Sequence, residues 1–114
     1  MSFLPRTVEK GTRVEIPIQI LENSVAKDVT GYTFFYGVKD NIENASLLIG
    51  PITGTVVSAA SGLITFILTG SQTSLAPFRG IEGMVMRDSS LSDTILSPPG
   101  GVEFNLVNWS VISV

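Results

Sequence analysis

The sequence predicts an all-β protein, a β-sandwich of seven or eight short antiparallel strands, on three observations. Apolar and polar residues alternate at period two in several segments, as in strands with one buried face. Clusters of Gly, Pro, Asn, Asp and Ser interrupt these segments roughly every ten residues, the spacing of turns in all-β domains. No segment sustains a helical period. A small closed β-barrel is the alternative arrangement of the same strands.

The 114 residues suit one domain with a single core. Hydrophobic residues make up 44% and charged residues 15%, a composition that folds. Residues 1–11 read as an N-terminal arm and residues 12–114 as the domain. The arm carries an apolar tip, Phe3 and Leu4, held by Pro5, and both a frayed terminus and an arm docking on a neighbour fit it.

Arg13 to Leu21 is the clearest strand. Val14, Ile16, Ile18 and Ile20 share one face and Arg13, Glu15, Pro17 and Gln19 the other. Pro17 cannot donate to a ladder, so this strand belongs at an edge or carries a bulge. The polar segment from Glu22 to Thr30 reads as a loop, and Gly31 as a turn residue before the next strand. In VTGYTFFYGVKD, Val29 to Asp40, the side chains of Tyr32, Phe34, Tyr36 and Val38 fall on the core face. Phe35 falls on the opposite face, which makes that face partly apolar and marks Phe35 as an interface residue.

Asp40 to Asn44 is a turn cluster, and no charged residue occurs from Asn44 to Phe78. Gly, Ser and Thr cut that stretch into strands over Ser46–Ile49, Thr55–Ser58 and Leu63–Leu68, joined by PITG and AASG turns with Gly54 and Gly62 at positive φ. Neutral strands repel edge pairing poorly, so some of them are expected to be buried or covered by another subunit. Ser71 to Leu75 reads as one helical turn capped by Ser71 and ended by Pro77. Gly83–Asp88 and Asp93–Ser97 follow as strands. Val102 to Val114 closes the chain, its apolar phase shifting after Leu106 to Val107, Trp109 and Val111, which calls for a bulge.

The chain contains no Cys and no His, so it has no disulfides and no thiolate or imidazole metal sites, and Ser-His-Asp and Cys-His nucleophile systems are excluded. The glycines follow neither the phosphate-loop nor the dinucleotide pattern. The ten acidic residues read as surface groups in turns and on outward faces, with none inside an apolar run. Asp40, Glu43 and Asn44, or Asp88 and Asp93, offer oxygens for Ca²⁺, but neither group has the spacing of a calcium loop, and turn chemistry is favoured. Tyr32, Tyr36 and Trp109 would stack on a carbohydrate, although a lone Trp in a terminal strand reads first as core or interface. Catalytic, cofactor and metal residues are therefore assigned to none. A net charge of −3 argues against nucleic acid and anionic membranes as partners. MSFLPRTVEKG lacks the form of a secretory signal, and no run reaches the length of a membrane span.

DVTGYTFFYGVKD, Asp28 to Asp40, resembles a pattern of small phage and prophage proteins: an aspartate and an apolar residue, Thr-Gly-aromatic, then an alternating strand ending in a basic residue and Asp. Those proteins are similar to the N-terminal immunoglobulin-like domain of the siphophage baseplate upper protein. GLITFILTGSQTSLAPFRG and IEGMVMRDSSLSDTILSPPGGVEFNLVNWSV continue the likeness in order, departing where PPGG replaces a single Gly before the final strand. The resemblance implies an immunoglobulin-like sandwich and a non-enzymatic virion structural or adaptor protein of a baseplate, tail or head appendage. It would be made in the host cytoplasm, would dock on other phage proteins and would form homo-oligomers. The interface residues expected are Phe3, Leu4, Phe35 and Trp109. A carbohydrate or host-surface binding module is the alternative.

Overall fold

The computed structural model describes residues 6–40, 47–96 and 102–107, with the Ile95 side chain left aside. The described chain is all β. Eleven strands are present: β1 (Arg6–Glu9), β2 (Val14–Gln19), β3 (Leu21–Glu22), β4 (Val25–Ala26), β5 (Thr33–Lys39), β6 (Ile49–Thr53), β7 (Thr55–Ser58), β8 (Leu63–Leu68), β9 (Phe78–Arg87), β10 (Asp93–Ile95) and β11 (Val102–Val107). One sheet has the order β1-β11-β9-β5-β6, with β10 also on β9. The second has the order β2-β8-β7, and β3 and β4 form a separate hairpin.

The long strand β9 organises the first sheet. Its alternation buries Gly80, Glu82, Met84 and Met86 on one face. Along one side it pairs β5 from Ile81 to Arg87, and along the other β11 takes Phe78 to Glu82 and β10 takes Val85 to Arg87. The inward faces of both sheets meet in one core that includes Phe34, Tyr36, Val38, Met84, Phe104 and Leu106 from the first sheet and Ile16, Ile64, Phe66 and Leu68 from the second. The Tyr36 and Phe66 rings bridge the layers with centroids 5.6 Å apart.

Strands switch layers at both sides. β6 ends one sheet and β7 begins at the edge of the other, with only Gly54 between them. Across the molecule, residues 10–13 carry the chain from β1 to β2 in the same way. Gly54 is packed tightly against the second layer: a Cβ there would lie 2.8 Å from Ile64 Cγ2 and 2.9 Å from Phe66 Cε1. Its φ is not positive, contrary to the sequence reading, and the glycine serves interlayer packing rather than turn geometry.

Several expectations are met. Pro17 lies on β2, an edge strand, so its missing N–H breaks no ladder. Gly31 and Gly62 have positive φ, and Phe34, Tyr36 and Val38 are buried on one face.

Other expectations change. Residues 6–9 of the segment read as an arm form β1, which pairs with β11 in parallel rather than antiparallel register. The loop after Leu21 contains the β3–β4 hairpin, whose turn residues Asn23 and Ser24 both have positive φ, as a type I′ turn requires. These three strands are the ones beyond the eight expected. PITG is not a turn: Pro51, Ile52 and Thr53 are the body of β6, at the sheet edge where proline is tolerated. The register shifts between Tyr36 and Val38 opposite Gly50, whose φ is +95°. β9 begins at Phe78, five residues before the expected start. The turn after β8 is capped by Thr69, not Ser71: Gln72 and Thr73 donate their N–H groups to the Thr69 carbonyl, and the Thr69 hydroxyl accepts from Gln72 N–H. The phase change after Leu106 falls beyond Val107, outside the described residues.

Candidate interfaces and a buried polar cluster

The outward face of the first sheet carries Phe35. Across the strands it lies opposite Val85 on β9 and Thr53 on β6. Phe35 is half-buried, and the Arg87 guanidinium sits over its ring at 5.0 Å. Arg87 is held there by Asp93, through Nε–Oδ1 at 2.7 Å and Nη2–Oδ2 at 3.1 Å. This pairing keeps the Asp93 carboxyl below the usual carboxylate range and raises the Arg87 pKa further. Phe35 is therefore neither core nor bare: one face of its ring is roofed by an arginine that is itself anchored.

The second candidate surface is the free edge of the three-stranded sheet. Among the described residues β7 pairs only with β8, and no described strand covers its other edge. Val56 is 41% exposed and Val57 64% exposed, and no charged side chain occurs on β7 or β8. Natural edges are commonly protected by lysine, proline or a bulge that twists them away. β7 has a register shift between Val56 and Ser58 but no charge.

Phe3, Leu4 and Trp109, the remaining interface candidates, lie outside the described residues. Arg6 and Val107, from which the chain continues toward them, stand at opposite ends of the parallel β1–β11 pair. Of the aromatic residues offered for carbohydrate stacking, Tyr36 is only 1% exposed and is unavailable, and Tyr32 is half-buried with Lys27 Nζ at 5.5 Å from its ring centroid.

Among the described residues, no group of three or more acidic side chains is arranged to hold a metal ion. Asp88 instead orders the turn between β9 and β10, its Oδ1 accepting from the N–H groups of Ser90 and Ser92 at 2.9 Å each. Asp28 does the same before β5, accepting from the N–H and hydroxyl of Thr30, which lowers its pKa. Glu43 and Asn44 are outside the described residues.

One acidic residue departs from the surface reading. Glu82 is 1% exposed, on the core face of β9 among Met84, Met86 and Val102. Its Oε1 accepts from Arg6 Nε at 2.7 Å and from the Tyr36 hydroxyl at 3.1 Å, and its Oε2 accepts from Arg6 Nη2 at 3.5 Å. Burial alone would lower the Arg6 pKa, but the adjacent carboxylate outweighs it and the net shift is upward. Burial, reinforced by the negative charge of Glu82, pushes the Tyr36 hydroxyl pKa far up. The cluster joins β1, β5 and β9, and every buried polar side-chain atom among the described residues has a hydrogen-bond partner.

The alternation of β9 carried the signal for this cluster. In GIEGMVM, Glu82 falls in phase with Met84 and Met86, so a strict reading of period two places the carboxylate inward. No protein-family model matches the chain, and no curated protein matches it in sequence.

Proposed function

We propose that the chain is a non-enzymatic docking module that self-associates, an immunoglobulin-like adaptor of the kind built into phage particles. The fold half of this reading is supported by strand order. The sequence β2-β8-β7 is the B-E-D order of an immunoglobulin sheet, and β11-β9-β5-β6 is the G-F-C-C′ order of the opposite sheet in variable-type domains. A barrel is disfavoured because no hydrogen-bonded ladder joins β6 to β7 or β1 to β2 among the described pairings.

The functional half rests on one observation, the charge-free β7 edge with Val56 and Val57 in solvent. An open edge of this composition is a template for pairing with another chain, where main-chain hydrogen bonds supply affinity and alternate side chains supply selectivity. A second copy presents the same edge and meets no charge repulsion there, which favours self-pairing about a two-fold axis. The virion setting is supported by the resemblance of Asp28 to Asp40 and the segments after it to phage immunoglobulin-like proteins.

Light scattering over a concentration series tests the association: the mass should rise with concentration, and a Val57→Lys variant should lose the part of that rise that the β7 edge supplies. A wild-type chain monomeric throughout would overturn the self-association. The virion setting has its own test, the genes beside this one: capsid, tail or packaging genes are expected, and an unrelated neighbourhood would contradict it.

A further inference from the structure

We infer that β1 is an exchangeable strand, and that the slot it occupies beside β11 is a site that reads arginine and accepts β1 from a second copy of this chain. The inference stands on the Arg6–Glu82 contact and does not depend on the virion setting or on the β7 edge.

The slot has two parts. Its floor is the edge of β11, which pairs with β1 in parallel register, Arg6 opposite Phe104 and Glu9 opposite Val107. Its specificity element is Glu82, a carboxylate that is 2% exposed in its side chain and ion-paired with Arg6 at 2.7 Å. When β1 leaves, Glu82 loses its ion-pair partner while remaining against the core. The Tyr36 hydroxyl still donates to Glu82, but a buried carboxylate without a compensating cation is strongly disfavoured, so the slot selects a strand that brings a guanidinium to that point. A neutral strand of similar shape would not satisfy it.

The donor is built to come away. β1 is four residues long, at the sheet edge, and Val8 is its only buried side chain. Residues 10–13 alone separate it from β2, so β1 reaches the first sheet by a short crossing from the second. Gly11 makes that bend at φ +79° and, as glycine, is equally able to adopt extended angles. Straightening the bend would make residues 6–19 one continuous strand whose first four residues project beyond their own domain. Short hinge loops between an edge strand and its domain are the usual site of such exchange. The closed form is held by the buried Thr73, whose hydroxyl donates to the Thr12 carbonyl at 2.7 Å while its own carbonyl accepts from Gly11 N–H at 3.1 Å. The copy that receives β1 offers contacts identical to those lost, so exchange conserves them and is governed by concentration and by the hinge.

Single-cysteine copies test this directly, because the native chain has no cysteine. Thr7 and Asn105 are cross-strand partners, so a full-length Thr7→Cys copy and an Asn105→Cys copy of different mass can form a mixed disulfide at that register only if β1 of one lies on β11 of the other. In a thiol–disulfide buffer the mixed dimer should exceed, by at least about tenfold, that from Thr7→Cys with Ser90→Cys, an exposed turn position. Adding Arg6→Glu to the Thr7→Cys copy should lower the yield at least about tenfold, since the strand then brings a carboxylate to Glu82. Placing Glu82→Arg in the Asn105→Cys copy should restore it. A mixed dimer no more abundant than the Ser90→Cys control overturns the proposal, and so does a yield unaffected by Arg6→Glu. Should the Glu82→Arg copy fail to fold, the first two comparisons still decide.

Discussion

Glu82 shows how one residue can tie distant parts of the chain together. It lies in the core because β9 keeps a strict two-residue phase, and it is tolerated there because Arg6 and the Tyr36 hydroxyl converge on it from β1 and β5. Removing Arg6 strands the carboxylate. Arg6→Ala should lower stability by about 2 kcal/mol, less than for a fully buried pair because the arginine is partly exposed. In a Glu82→Met background the same substitution should cost under about 0.5 kcal/mol, as denaturant titration of the double-mutant cycle would show. Tyr36 gives this cluster a pH signature. Its folded-state pKa is raised above the ordinary value of 10.0, so above that pH the unfolded chain loses a proton that the folded chain keeps. Stability should therefore fall as pH rises above about 10, and Tyr36→Phe should remove that component of the slope, although it also forfeits the hydrogen bond to Glu82 at neutral pH. Asp93, whose pKa is lowered by Arg87, acts at the other end of the scale: the contribution of its pair is complete above the unfolded value of 3.8 and is lost as pH falls below it.

Among the elements, Gly54 and Gly31 separate two uses of glycine. A methyl group at Gly54 would press on Ile64, Phe66 and Phe34, all core residues, so Gly54→Ala should cost about 2 kcal/mol through overpacking. At Gly31 nothing lies within 4 Å, and only its φ of +85° resists a side chain. Gly31→Ala should cost about 1 kcal/mol, and thermal unfolding of the two variants would rank them. The same contrast explains what could be read in advance. Strands with clean alternation, β2, β5 and β8, were legible because burial on one face imposes a period on the sequence, whereas β7, with no buried face, was legible from the glycine and serine turn signals that bound it. β6 was not: IGPIT carries a proline and a glycine that ordinarily signal a turn, and only its edge position makes them compatible with a strand. β1 has one buried residue in four, too few to form a pattern, and the β3–β4 hairpin depends on the positive φ of Asn23 and Ser24, which have no apolar alternation around them. Within the site, Phe35 could be placed on the outward face from period two alone. The inward phase of Glu82 is likewise contained in the alternation of β9, but the arginine above Phe35 and the Arg6 and Tyr36 partners of Glu82 depend on cross-strand register, which the residues of a single strand do not contain.

At the scale of the molecule, two layers share one core and are joined at both sides by strands that pass from one to the other, through Gly54 and through residues 10–13. The two outer strands of the larger sheet differ in how they are secured. β6 continues directly into β7, whereas β1 is held by a short ladder and the ion pair to Glu82. Among the described residues the smaller sheet ends in β7, where no charge guards the ladder. The proposed function concentrates on that edge, and its central claim is that a second copy covers it. Hydrogen exchange followed as protein concentration is raised tests the claim at the right residues. Protection of Thr55–Ser58 is predicted to grow with concentration, while the exposed Asn23–Ser24 turn exchanges at a constant rate. Exchange in β7 that stays fast and independent of concentration would contradict the account.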